Sequence, residues 1–348
     1  MVAIANNELM ISADSHVIED AELWLKRLPA TLREQAPRYK AQELTGFTTQ
    51  PGGNDPNERV KEMETDGVSA EVLYPTLALR LFSITDPGLQ EACFRVYNDW
   101  LVEYSQVAPE RLVGIACISM WNIERAVLEM ERCRKAGLRG ALIWEVPSPD
   151  LPFRSPHYDP VWAAAQALDM PVNLHILTTG TERPPLPGAT REMNRLYTNV
   201  NTRISEISGA LFDFTAGGIL HRFPGLKLVI VENEVGWIPF YLQQLDYYFS
   251  GKAGKPMAGM PIDRNPSSYF TQQVYATFFN DPIGGQVLAH WGQDNCMWSN
   301  DYPHGNSTWP NSRQVIERDL GHLPSQIRAK VLSENATRLY GLKVPVSR

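Results

Sequence analysis

The sequence predicts a (β/α)8 barrel. Three observations carry that prediction: eight short apolar runs, helical patterns between most of them, and polar residues of ligand type where several runs end. Eight alternating units spread over 348 residues fit a barrel with insertions. An open, doubly wound sheet is the alternative, because periodicity does not say whether a sheet closes. No G-x-G-x-x-G or G-x-x-x-x-G-K-[ST] follows any run, which argues against a nucleotide-binding version.

The elements follow in chain order. Residues 9–14 predict β1 and residues 69–75 (SAEVLYP) predict β2. Residues 112–118 predict β3, followed by a helix over 123–136 that Gly137 stops. Residues 138–145 (LRGALIWE) predict β4, with a helix over 158–169 behind them, and 171–176 (PVNLHI) predict β5. A helix over 203–223 leads to β6 at 226–232 (LKLVIVE), and a helix over 237–249 follows. The pattern repeats with β7 at 273–279, a helix over 282–291 and β8 at 296–301, and a helix over 324–339 closes the chain.

Three connections are longer than ordinary ones: 19–65, 177–202 and 250–266. The first two follow strand C-termini, which in a barrel border the active-site mouth, so they read as a cap and a lid on a single domain. Surface decoration is the plainer alternative for both.

Composition excludes several classes. Thirty-two basic against 39 acidic residues give a formal charge of −7, with no Lys/Arg block for nucleic acid or an anionic membrane. Nine Trp and 43% hydrophobic residues argue against disorder. No apolar run approaches the ~20 residues of a membrane span. Met1 to Met10 carries Asn6, Asn7 and Glu8 and no basic segment, so no signal peptide and a cytoplasmic location are expected. The four cysteines, at 93, 117, 133 and 296, have no C-x-x-C spacing and read as buried, reduced thiols.

The chemistry sits at the strand ends. Asp14 and His16 are two apart at the end of β1 and share one side of an extended chain. His175 ends β5, Glu232 ends β6 with Glu234 two residues on, and Asp301 ends β8 with His304 three residues beyond. Catalytic groups of a barrel come from the ends of several strands, and this mixture of imidazoles and carboxylates suits a divalent metal, with zinc, iron and manganese all admissible. Each residue alone has a plainer reading: an Asx-turn for Asp14, a core histidine for His175, a turn cap for Asp301, a loop residue beside Pro303 for His304. Arg80 and Arg183, in or near the mouth loops, are placed to clamp an anionic group or to make surface ion pairs. Trp144 and Trp309 line an aromatic pocket or simply pack.

Six stretches resemble the amidohydrolase-related family that contains aminocarboxymuconate-semialdehyde decarboxylase and the ortho-hydroxybenzoate decarboxylases. They are ISADSHVIE (11–19), DGVSAEVLYPT (66–76), LRGALIWEVP (138–147), PVNLHI (171–176), HRFPGLKLVIVENEVGWIP (221–239) and WSNDYPH (298–304). The resemblance implies a distorted barrel with a catalytic divalent metal held by Asp14, His16, His175 and Asp301, a small-molecule substrate and a homodimer. It also exposes a departure. Relatives with a decarboxylase role place His-Gly-Gly after β6, where this chain has Glu232-Asn233-Glu234. Glu232 then reads as a general base or a further metal ligand, and Glu145 falls where binuclear members of the superfamily carry a bridging group. One or two ions are both open.

The expected function is therefore a metal-dependent hydrolase that turns metal-activated water on an ester, amide, thioester or lactone. Asp301 or Glu232 would take the proton from water, and His304 would serve the leaving group. A non-oxidative decarboxylase of an aromatic or unsaturated carboxylic acid is the alternative.

Overall fold

Every predicted apolar run forms a strand in the computed structural model, which describes residues 8–39, 50–179, 185–255 and 257–343. The strands are β1 Ile11–His16, β2 Ala70–Tyr74, β3 Leu112–Cys117, β4 Gly140–Ile143, β5 Val172–His175, β6 Leu228–Val231, β7 Val274–Phe278 and β8 Cys296–Trp298. All their residues are buried, as expected of parallel strands covered on both faces.

The strands pair in parallel and in sequence order, β1 through β8, with no topological switch point. Register places Ile11 opposite Ala70, His175 opposite Val231 and Phe278 opposite Trp298. The remaining seam closes beyond β8: the Asp301 amide donates to Asp14 O at 3.1 Å, and the His16 amide donates to Tyr302 O at 2.6 Å. The sheet is thus a nearly closed barrel, and the open-sheet alternative is excluded.

Local sequence explains most of the helices. Ile123–Ala136 starts where the Asn122 side chain accepts the Arg125 amide, and it ends at Gly137 with φ 104°. The helix expected over 203–223 is two pieces, Arg203–Phe214 and Ile219–Arg222. Gly218 takes φ 86° between them, and a Cβ on Gly217 would lie 2.5 Å from Asp213 O. The last helix is likewise broken, into Ser325–Ala329, a π turn over Lys330–Glu334 and Asn335–Tyr340.

One helix is hidden in the sequence pattern. Pro87–Ser105 links β2 to β3, with the Asp86 side chain accepting the Leu89 amide. Its buried Cys93, Tyr97, Leu101 and Tyr104 carry helical spacing, but charged and amide residues between them mask the stripe.

The insertions are partly barrel. Within 19–65 lies most of Pro56–Asp66, the helix that returns the chain from β1 to β2 and ends at Gly67 with φ 76°. Residues 40–49 of the cap and 180–184 of the lid, Arg183 among them, lie outside the described residues. The lid also contains the helix Arg191–Tyr197. All four cysteines are free and buried. No described helix is long and apolar enough to cross a membrane.

Candidate metal centre

β1 delivers Asp14 and His16 together, both fully buried. The His16 Nδ1 lies 2.8 Å from Pro75 O, and the His175 Nδ1 lies 2.8 Å from Ile176 O. A carbonyl can only accept, so each Nδ1 carries the hydrogen and each Nε2 keeps its lone pair when the ring is neutral. Those two Nε2 atoms face each other at 3.3 Å.

Carboxylates surround them. Asp14 Oδ1 is 3.5 Å from His16 Nε2 and 3.7 Å from His175 Nε2. Glu232 Oε2 is 3.5 Å from His175 Nε2, and Asp301 Oδ1 is 3.4 Å from His16 Nε2. Ligand atoms of Asp14, His16, His175 and Glu232 all lie within 4.8 Å of one another, as do those of His16, Asp301 and His304. The residues expected to act together from β1, β5, β6 and β8 therefore meet, with His16 shared between the two groups.

The backbone is bent to present these groups. Glu232, Glu234 and Asp301 adopt φ of 57°, 56° and 53°, and Leu177 beyond β5 adopts 67°. Such left-handed conformations are uncommon outside glycine and are kept where surrounding structure holds them. The Glu232 amide donates to Thr277 Oγ1 at 2.8 Å, and Arg203, the first residue of the helix that follows the lid, donates to the Glu232 carbonyl.

The electrostatics call for a cation. Both Asp14 side-chain oxygens and Asp301 Oδ2 are buried without a hydrogen-bond partner among the described residues. Burial, with Asp301 and Asp14 nearby, pushes the Glu232 carboxyl far above its ordinary range, and burial also raises Asp301. Burial opposes a proton on His175, but Asp14 and Glu232 outweigh it and raise that imidazole to about 9. His16 moves the other way, lowered by burial and by His304 and His175. Orphaned carboxylate oxygens around two converging imidazole nitrogens fit a divalent ion with nitrogen and oxygen ligands.

The other residues singled out from the sequence sit apart. Glu145 is buried and raised by burial to about 8, with Oε1 3.5 Å from Asn233 Nδ2 and no partner on Oε2. It belongs to neither converging group. Glu234 accepts the Phe279 amide at 3.3 Å. Arg80 is exposed and lies over the Tyr39 ring at 5.8 Å. Trp309 packs edge-on to Tyr302 and donates to Glu62 O, while Trp144 packs edge-on to Trp121. Sequence reasoning gives no role to Pro75 and Thr76. The pair follows β2, and a polar residue at a strand end is the one signal there: Thr76 Oγ1 lies 3.1 Å from His304 Nε2.

The amidohydrolase family model matches residues 14–342. Gamma-resorcylate decarboxylase of Polaromonas sp. strain JS666 is 25% identical over 300 residues, 82% of this chain and 86% of the relative. Among solved structures, the dihydroxybenzoic acid decarboxylase of Polaromonas sp. JS666, with bound manganese and 2-nitroresorcinol, superposes with a TM-score of 0.71 at 22% identity, covering 96% and 97% of the two chains. The 5-carboxyvanillate decarboxylase of Sphingomonas paucimobilis gives 0.69 at 22% identity, over 97% and 100%. These findings overturn the expected hydrolase. The relatives are decarboxylases, the class that stands second on sequence alone. A single residue type, Glu232, does not select the reaction, because metal, imidazoles and carboxylates serve either chemistry.

Proposed function

The chain belongs to the amidohydrolase family, and from that premise we propose that it is a divalent-metal-dependent, non-oxidative decarboxylase of an aromatic or unsaturated carboxylic acid. The observation that carries the proposal is the convergence of Asp14, His16, His175 and Glu232 on one point beside Asp301, in a chain whose curated relatives are decarboxylases. Asp14, His16, His175 and Asp301 would hold one ion, with Glu232 completing the set. Manganese is the metal proposed: a carboxylate-rich donor set suits it, and the dihydroxybenzoic acid decarboxylase neighbour holds it. When bound, the ion supplies a Lewis acid that draws in the substrate's carboxylate and steadies negative charge developing next to it.

The chain's own residues would manage the proton. Loss of CO2 leaves the bonding electron pair on carbon, so a proton must reach that carbon as the C–C bond breaks. Asp301 is placed for this role, because Oδ1 is held by His304 Nδ1 at 2.9 Å and Oδ2 has no hydrogen-bond partner among the described residues. His304 would return the proton, since its side chain is 16% exposed while Asp301 is fully buried. Burial of Asp301 keeps bulk water from the acid itself, so its proton is renewed through His304.

The test is CO2 release by manganese-loaded protein across a panel of hydroxybenzoates, run in D2O. CO2 with one deuterium at the vacated carbon is the expected result. Turnover of simple esters with no CO2 from any carboxylic acid would overturn the proposal.

A further inference from the structure

A buried ion pair grips two of the chain segments that bring donors to the centre, β1 and the stretch after β8. Arg59, on Pro56–Asp66, and Glu71, on β2, are 0% and 1% exposed, and Arg59 Nε donates to Glu71 Oε2. Arg59 Nη1 also donates to His16 O at 2.6 Å, and its guanidinium stands 4.4 Å from the centroid of the Tyr302 ring. The other Glu71 oxygen accepts Asn300 Nδ2 at 3.2 Å. Asn300 Oδ1 in turn accepts Ser12 Oγ at 2.9 Å, Ser15 Oγ at 2.8 Å and the Tyr302 amide at 3.1 Å.

The pair thus holds the carbonyl of His16 on one side and both neighbours of Asp301 on the other. This is the seam of the barrel where, among the described residues, no strand ladder runs: β2 through β8 each pair with the preceding strand, but the β1–β8 junction is made by two backbone bonds at Asp14 and His16 and by side-chain bonds of Ser12 and Ser15 with Asn300. Stability alone is a weak reason to bury two charges, because well-packed apolar residues of similar volume often serve as well. Fixed geometry is a better one, since a guanidinium fork sets direction as well as distance.

We infer that Arg59 and Glu71 are positioning residues for the metal centre, setting the reach from His16 Nε2 to Asp301 Oδ1 across the seam. The inference rests on the metal reading given above. Groups that orient metal donors without touching the ion change affinity roughly 10–100-fold when removed.

The experiment measures Mn2+ affinity by electron paramagnetic resonance of the free ion, with urea unfolding of the metal-free protein alongside. Removing one charge strands the other, so the main variant is the double replacement Arg59→Met with Glu71→Leu. Glu71→Gln, which keeps the side chain's shape, is the second. The expected result is a Kd raised about 10–100-fold in both, with the metal-free unfolding midpoint of the double replacement near that of wild type and that of Glu71→Gln lowered by the stranded guanidinium. Arg59→Lys, which keeps charge but loses the fork, is expected to recover only part of the affinity. Unchanged affinity in Glu71→Gln overturns the inference while leaving the metal centre standing. Affinity that falls only in step with the unfolding midpoint also overturns it, because the pair would then be merely structural. Absence of Mn2+ binding by the wild type removes the metal reading itself.

Discussion

His304 Nδ1 lies 2.9 Å from Asp301 Oδ1, and its Nε2 lies 3.1 Å from the Thr76 hydroxyl. The imidazole is therefore fixed at both nitrogens, with its ring 4.1 Å from that of His16. If it returns protons to Asp301, its loss slows turnover without emptying the centre. His304→Ala is expected to lower kcat by about 10²–10⁴ while manganese content per chain stays at the wild-type value. Loss of bound metal in step with activity would instead make His304 a ligand.

Metal removal has its own signature. Neither Asp14 side-chain oxygen has a hydrogen-bond partner among the described residues, so an ion there would satisfy both. Manganese at 100 times its Kd is expected to stabilise the fold by about 2.7 kcal/mol, and chelator should reverse the gain. Asp14→Asn removes a charge at nearly constant shape, and His175→Ala removes a nitrogen donor. Each should abolish the manganese-induced rise in Tm. A full rise in Asp14→Asn would strike Asp14 from the donor set.

The donors are legible in the sequence because a barrel sends every strand's C-terminus to one end. Asp14, His16, His175, Glu232 and Asp301 each stand at such an end, so topology alone predicts their meeting. The supports are not legible. His16 is oriented by the carbonyl of Pro75, 59 residues away, and backbone carbonyls leave no mark on residue type. Arg59 and Glu71 read as ordinary charges until Tyr302 and Asn300 arrive from the far end of the chain to bury them. Glu145 shows the opposite failure: its strand-end position is as good as that of the donors, yet its carboxyl turns to Asn233.

Glu19 predicts a pH dependence separate from the metal centre. Its carboxylate accepts the amides of Thr76, Leu77 and Ala78 at 3.3, 2.9 and 3.0 Å, but burial outweighs those bonds and raises it from 4.5 to about 7. A raised carboxyl favours the folded state in acid. The contribution is complete below the unfolded value of 4.5 and is lost as pH rises through about 7. Over that window it amounts to about 3 kcal/mol. Glu19→Gln does not titrate, so the wild type's stability relative to this variant should be greatest near pH 4 and shrink toward pH 8. Urea unfolding of the metal-free proteins across that range measures it, and a difference that stays flat would show that Glu19 keeps an ordinary carboxyl.

Asp281 ties the turn that carries Glu232 to the end of β7. Its Oδ2 accepts the Val235 and Gly236 amides at 2.8 and 2.7 Å, and its Oδ1 accepts the Gly284 amide at 2.7 Å. The approach needs glycine: a Cβ at Gly284 would lie 2.5 Å from Oδ2. Three amides on one carboxylate make Asp281→Ala expensive, at about 2–4 kcal/mol of unfolding free energy, because the donors lose a charged acceptor together. Asp281→Asn keeps an oxygen for two of the three and turns its NH2 toward the third, so an intermediate loss is expected. The amides held by these bonds begin immediately after Glu234, and Glu232 and Glu234 both sit at positive φ. Loosening the turn should let Glu232 swing from His175 and weaken manganese binding as well. Urea midpoints and Mn2+ titration on the same three proteins check both effects. A loss in Asp281→Ala below about 0.5 kcal/mol, the size typical of surface substitutions, would mean that the turn holds its shape through the backbone alone.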